Sequence, residues 1–239
     1  MTHPTNTSDP DALGHLSALL HETTDVGRPK ATDKRRNKGY RTARENLNDL
    51  IDEGSLVEYG QLAVAAQRDR RDADTLRVDT AADGVITGTA TINAAVVGEQ
   101  QAHTAVAIYD YSVLAGTQGF FHHQKLDRIL DIAERERLSV VMYTEGGGGR
   151  PGDTDVKVNI AGLNVTTFMQ WGHLTGKVPR IAVNNGYCFA GNAALFGAAD
   201  IRITTRTSSI GMAGPAMIEG GVEADALGPI NATKLKSFR

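Results

Sequence analysis

Two stretches of this chain hold residues whose types and spacing can do chemistry. Glu145-Gly146-Gly147-Gly148-Gly149-Arg150 follows one apolar run, and Asn184-Asn185-Gly186 through Gly191 follows another. A loop that opens a helix presents free backbone N–H groups, and the helix dipole adds to their field. Glycine lets a ligand approach that backbone closely. Three kinds of ligand suit such loops: a phosphate, a dinucleotide, or an oxyanion developing on a carbonyl.

The first two fail on their own motifs. Gly147 and Gly152 have the spacing of phosphate-loop glycines, but Asp153 stands where a lysine must reach the phosphates. Gly147 through Gly152 fits G-x-G-x-x-G, yet no Asp or Glu occurs between Val156 and Ala199 to bind a ribose. The oxyanion reading needs two N–H donors from separate loops meeting at one point. A structural turn explains a single glycine loop, whereas two loops of the same form leave both readings open.

Composition bounds the rest. Glycine is abundant, 26 of 239 residues against a usual share of about 7%. Lys and Arg number 25 and Asp and Glu 28, a net charge of −3 that argues against bulk nucleic-acid binding. One cysteine excludes a disulfide framework and a zinc ribbon. No apolar run reaches the ~20 residues of a membrane span, so no membrane partner is expected. Met1–Pro10 is polar and lacks a signal-peptide core, and reads as a loose tail of a cytoplasmic protein.

The elements that must carry the loops read as α/β. Leu13, Leu16, Leu19 and Leu20 share a helical face, and Thr42-Ala43-Arg44-Glu45 fits a capping box before a helix that Gly54 ends. Gln67–Asp83 reads as a charged surface connection. Val85–Asn93 and Thr104–Tyr109 read as strands, with Gly98–Gln101 in the turn between them. Gly116–Arg137 reads as a helix, followed by strand Leu138–Tyr143, a helix around Asn159–Thr175 and strand Val178–Val183. Helix Asn192–Gly197 and strand Ile201–Thr205 complete the pattern. The recurring unit is buried strand, glycine loop, helix, with sites expected at strand ends.

Further motifs stand in order along the chain: Lys38-Gly39-Tyr40-Arg41-Thr42-Ala43-Arg44-Glu45, Gly54-Ser55-Leu56-Val57-Glu58 and Ala82-Asp83-Gly84-Val85. Asp110 through Gly116, Glu145 through Arg150, Gly186 through Gly191 and Gly214 through Gly221 continue the series. In that order they resemble, from about Arg28 to Ile230, the N-terminal half of the carboxyltransferase component of biotin-dependent acetyl- and propionyl-CoA carboxylases. That family has the crotonase (ClpP/crotonase-like) fold of repeated ββα units, here with N-terminal helices. The implied division is a variable tail and short helix at 1–26 and a helical segment and linker at 27–80. A carboxyltransferase N-terminal domain at 81–230 and an atypical tail at 231–239 follow.

The resemblance implies that the backbone N–H groups of Gly149 and Gly191 hold the oxygen of a short-chain acyl-CoA thioester. Gly146, Gly147, Gly148, Arg150, Gly116, Lys125, Gly186 and Ala190 would line the substrate. Carboxybiotin on a carrier protein would be the cofactor and donate the carboxyl group. The implied partners are acyl-CoA, the biotin carboxyl carrier, biotin carboxylase, and a C-terminal carboxyltransferase half or further copies. Enoyl-CoA hydratases share the fold but use glutamates, one of which falls on Ala194 here, and alanine does no acid–base work.

Other residues carry alternatives. The basic run Arg28–Arg44 reads as a solvated pair of helices or as a contact for coenzyme A phosphates, with Arg41 and Arg44 the candidates. Arg150 either braces its loop or faces the substrate. His122 and His123 point about 100° apart on a helix, which disfavours joint metal ligation. Cys188 reads as a buried small residue, and Trp171 and Phe168 as core. The family's second half, with its carboxybiotin site, has no match in the chain. It would then be one part of a split enzyme or a non-catalytic assembly module. A stand-alone isomerase or thioesterase would use Glu145, Asp153 and Glu219 as its acid–base groups.

Overall fold

A computed structural model describes residues 11–156 and 165–214. The Met1–Pro10 tail, the first part of the helix expected from Asn159, the motif beyond Gly214, Glu219 and the 231–239 tail lie outside the described residues.

Three helices lead the chain: α1 (Ala12–His21), α2 (Pro29–Arg36) and α3 (Ala43–Leu50). Then come β1 (Val57–Tyr59), α4 (Ala73–Asp79), β2 (Val85–Thr91), the single turns α5 (Ala94–Val97) and α6 (Glu99–Ala102), and β3 (His103–Tyr109). The second half runs α7 (Phe120–Glu136), β4 (Ser139–Tyr143), α8 (Thr167–His173), β5 (Arg180–Asn184), β6 (Tyr187–Phe189), α9 (Gly191–Gly197), β7 (Ile201–Thr204) and β8 (Ser209–Gly211).

Six strands form one sheet in the order β1-β2-β3-β4-β5-β7. The first three pair antiparallel, and β3, β4, β5 and β7 run parallel. Strands β6 and β8 make a small parallel pair of their own. Parallel register puts Tyr143 beside Val183, so the loops after β4 and β5 open at the same edge of the sheet. The antiparallel pairing of Val85 with Tyr109 brings the start of β2 to that edge too.

Strand β3 is buried on both faces, as the central strand of an α/β layer must be. Ala105, Ala107 and Tyr109 join Leu126, Ile129, Leu130 and Ala133 of α7 in the larger core, with Trp171, Leu174, Leu195 and Phe196. Val106 and Ile108 point the other way, onto Ala43 and Leu47 of α3. Each fully buried Val, Leu, Ile or Phe among them contributes roughly 1.5–3 kcal/mol of transfer free energy.

The capping box at α3 is present in both directions, Thr42 with the Glu45 N–H and Glu45 with the Thr42 N–H. The helix ends at Leu50 rather than at Gly54. Ile51 turns onto the core, and the Asp52 N–H and carboxylate are taken up by Thr91, Asn93 and Ala94. Within the stretch expected to be a charged connection, Asp72 caps α4 and Leu76 anchors it in the interior.

Candidate functional site

The two glycine loops meet. The Gly146 N–H donates to the Tyr187 carbonyl at 2.7 Å, and the Phe189 N–H returns to the Gly146 carbonyl at 2.9 Å. The Asn192 side chain, in the first turn of α9, accepts from the Gly148 N–H at 2.9 Å. Gly148 has φ +90, and a Cβ there would sit 2.7 Å from the Ala190 Cβ. Each residue just before the expected donors thus packs against the other. Ala190 itself has φ 50 and ψ −119, a strained conformation at the turn from β6 into α9. Among the described residues, the N–H groups of Gly149 and Gly191 have no acceptor.

Gln118, which no local pattern singles out, bridges both loops. Its N–H donates to the Gly148 carbonyl at 2.8 Å and its carbonyl accepts from Arg150 at 2.9 Å. Its side-chain amide donates to the Tyr109 hydroxyl at 2.9 Å. A Cβ on Gly191 would lie 2.4 Å from Gln118 Oε1 and 3.1 Å from the Phe168 ring, so only glycine fits there without movement. Phe168 is 41% exposed and is not core, in contrast to Trp171, which is 1% exposed and donates to the Leu195 carbonyl. Gly116, at φ +62, lies against the Glu145 carbonyl, and the neighbouring Ala115 carbonyl accepts from the Gly147 N–H at 3.0 Å.

Arg150 is committed to the interior. Its guanidinium pairs with Asp83, lies 3.5 Å from Asp153 and donates to the Thr117 carbonyl at 2.8 Å. The same two carboxylates cap α7, whose own N-cap is Gly119 and has no side chain. Asp153 accepts from the Phe120 N–H and Asp83 from the His122 N–H, both at 2.7 Å. A Cβ on Gly119 would lie 2.2 Å from Arg150 and 2.4 Å from Asp153, which explains the glycine. Burial pushes the Asp83 carboxyl up and Arg150 pulls it back.

The basic segment is divided by its partners. Arg44 forks onto Glu58 at 2.6 and 3.0 Å, and Arg41 pairs with Asp49 and the Glu45 carbonyl, so the two expected phosphate contacts are engaged. Arg35 pairs with Glu145 in the interior. Burial raises the Glu145 carboxyl, and Arg35 opposes the rise. Lys30, Lys34 and Lys38 are exposed and make no ion pair among the described residues. They line a cavity of about 460 Å³ with Arg35, Tyr40, Tyr111, Ala115 and Tyr187, next to the first glycine loop.

Lys125 is 8% exposed, and its ammonium donates to the Ala82 and Val85 carbonyls. Burial lowers its pKa from 10.5 to about 8. His122 and His123 bond separately, to the Asp83 carbonyl and the Thr167 hydroxyl, and burial keeps His122 neutral. Cys188 is fully buried, and burial pushes its thiol from 9.0 to about 11, the wrong direction for a nucleophile.

These shifts give a pH dependence. Between pH 8 and 9 the folded chain releases the Lys125 proton while the unfolded chain keeps it. The unfolded state then binds more protons, and stability rises with pH by up to about 1.4 kcal/mol per unit. Above pH 9 the unfolded thiol of Cys188 ionises while the folded one does not, which offsets the Lys125 contribution and flattens the rise. Urea unfolding across this range should show the rise, and Lys125→Met should abolish it.

A family model described as the carboxyl transferase domain matches residues 34–233. The chain is 29% identical over 209 residues to the propionyl-CoA carboxylase beta chain of Saccharopolyspora erythraea, covering 87% of this chain and 36% of that one. It is 29% identical over 195 residues to the biotin-dependent long chain acyl-coenzyme A carboxylase beta4 subunit of Mycobacterium tuberculosis, covering 80% and 33%. The chain thus spans about a third of the length of these curated relatives. Among solved structures, a single-chain, multi-domain long-chain acyl-CoA carboxylase superposes with a TM-score of 0.82 and 51% identity, over 93% of this chain and 22% of that chain. The transcarboxylase 12S structure superposes at 0.74 with 24% identity, over 93% and 40%, a likeness of fold. The mixed sheet and its helices are the crotonase-like fold of such carboxyltransferases.

Proposed function

We propose, for a chain that belongs to the carboxyl transferase domain family, that it binds the acyl-CoA side of a biotin-dependent carboxyl transfer. The observation that carries this reading is the pair of N–H groups on Gly149 and Gly191. Both lack an acceptor among the described residues, on loops packed together through Gly148 and Ala190. Two such donors hold a thioester oxygen as it gains charge, the arrangement that stabilises an enolate. Ala194, in the first turns of α9, offers no acid or base, which favours carboxylation over hydration.

Carboxybiotin, when presented by its carrier, supplies the carbon dioxide and the base for the α-proton. The chain's own residues then have a limited task. Gly149 and Gly191 hold the enolate oxygen, and Gln118 and Asn192 fix the loops that carry them. Lys30, Lys34 and Lys38 receive the coenzyme A phosphates in the cavity beside the first loop, in place of Arg41 and Arg44. Complete transfer needs a C-terminal carboxyltransferase half, from this or another chain, to present carboxybiotin. The biotin carboxyl carrier and biotin carboxylase are the partners of that reaction.

The stand-alone isomerase or thioesterase reading has less support. Glu145 is held by Arg35, and Asp153 by Arg150 and the α7 N-terminus. The acyl chain is an open choice between the short chain that the sequence suggests and the long chain named for the 51% identical structure. Calorimetry with coenzyme A, propionyl-CoA and palmitoyl-CoA decides both questions. Replacing Lys30, Lys34 and Lys38 together by alanine should weaken all three by about tenfold at low salt, with little change in thermal stability. No heat from any of them with the folded wild-type chain would overturn the reading.

A further inference from the structure

Glu145 is the residue from which the first glycine loop departs, and it is 2% exposed. One carboxylate oxygen pairs with Arg35. The other, Oε1, is buried without a partner among the described residues. That oxygen occupies the space beside Gly186, where a Cβ would lie 2.0 Å from Oε1 and 2.4 Å from the carboxyl carbon. Gly186 leads into Tyr187, whose carbonyl accepts the Gly146 N–H. The carboxylate therefore wedges between the roots of both loops.

Its cation comes from a distant element. Arg35 lies 110 residues earlier, on α2, with a side chain 9% exposed. Its Nε donates to the Arg41 carbonyl at 3.0 Å, and its guanidinium lies 4.8 Å from the Tyr40 ring centroid and 5.3 Å from that of Tyr111. A fork fixed on this many sides holds a carboxylate in one orientation. Desolvation makes such a pair a poor source of net stability but a strong source of geometry.

We propose that Arg35 and Glu145 are a positioning pair, which sets the spacing of the two glycine loops and so the aim of the Gly149 and Gly191 N–H groups. The proposal rests on the acyl-CoA reading above. A merely structural pair would hold α2 to the body of the protein and leave a bound thioester unaffected. A positioning pair alters how strongly the thioester carbonyl is polarised once bound.

The carbonyl stretch of propionyl-CoA labelled with ¹³C at the thioester carbon reads that polarisation directly by infrared difference spectroscopy. Wild type should lower the stretch on binding. Glu145→Gln keeps the shape and a hydrogen bond but removes the charge, and Arg35→Gln removes the cation and its fork from the other side. Each should lose at least half of the shift, and in Glu145→Gln, whose side chain does not line the lysine cavity, coenzyme A affinity should stay within about twofold. Arg35→Lys, which retains the cation but not the fork, should recover only part of it. The double variant should lose no more than either single one. Circular dichroism identifies which variants are folded, and one folded Gln variant suffices for the decision. A full wild-type shift in either folded Gln variant would overturn the proposal. Wild type that binds coenzyme A but leaves the carbonyl unshifted would overturn the oxyanion reading and this proposal with it, a different result from absent binding.

Discussion

Arg150→Met lowers the stability of the fold by about 3–5 kcal/mol, seen as a drop of roughly 10 °C in the thermal midpoint. The reason is the company Arg150 keeps. Its side chain is 4% exposed, and those of Asp83 and Asp153 are 0% exposed. Methionine fills much of the same volume but leaves two buried carboxylates without a cation. Neither carboxylate can simply turn to water, since both also cap the α7 N-terminus. Protonating them removes the charge but weakens the caps, whose strength depends on an anionic acceptor. Arg150→Met combined with Asp83→Asn therefore regains part of the loss, as it removes one uncompensated charge and keeps an acceptor. Arg150→Lys costs less than methionine but more than nothing, because an ammonium cannot reach Asp83 and the Thr117 carbonyl as a fork does. A change below about 1 kcal/mol for Arg150→Met, the range of exposed ion pairs, would contradict this account.

That cluster marks the boundary of what the sequence discloses. The buried strands were legible because an α/β core demands continuous apolar runs: Val85–Thr91 and Ser139–Tyr143 lie within a residue or two of where their patterns put them. The α3 start was legible because a capping box is a local chemical signal. The three-residue strands β1, β6 and β8 were not, since they are too short for a period and exist through their partners. Helix α4 was hidden because one buried leucine, Leu76, anchors a charged surface segment. The glycine loops were visible by composition, and parallel register brings them to one edge. The residues that hold them were not. Gln118 and Asn192 act across 30 to 44 residues of sequence, and nothing local distinguishes them from surface polar residues; Asp83 stands in a motif, but its partner Arg150 lies 67 residues away. Charge alone left the basic segment open between a solvated face and a phosphate contact. Arg41 and Arg44, the candidates under the phosphate reading, pair with carboxylates, while Lys30 and Lys34 on α2 are exposed.

Replacing the Gly191 peptide N–H by an ester oxygen should weaken a charged mimic of the enolate, such as a nitronate-bearing coenzyme A analogue, by about 3 kcal/mol, roughly a hundredfold. Side-chain substitution cannot make this measurement cleanly. Proline also removes the N–H, but its ring would meet Gln118 Oε1, which lies 2.4 Å from the Cβ position. Alanine meets the same oxygen and keeps the donor. Glycolic acid in place of glycine deletes one hydrogen-bond donor and adds no atom to the crowded face. Helix α9 should tolerate the change, because the first N–H groups of a helix have no intrahelical partner. Coenzyme A itself should bind within about twofold of wild type, since the lysines proposed to meet its phosphates are untouched. The ratio of the two affinities thus isolates the donor from the rest of the site. An ester chain that binds the mimic as tightly as the native one would remove Gly191 from the oxyanion assignment. It would leave the lysine-lined cavity, and with it coenzyme A recognition, in place.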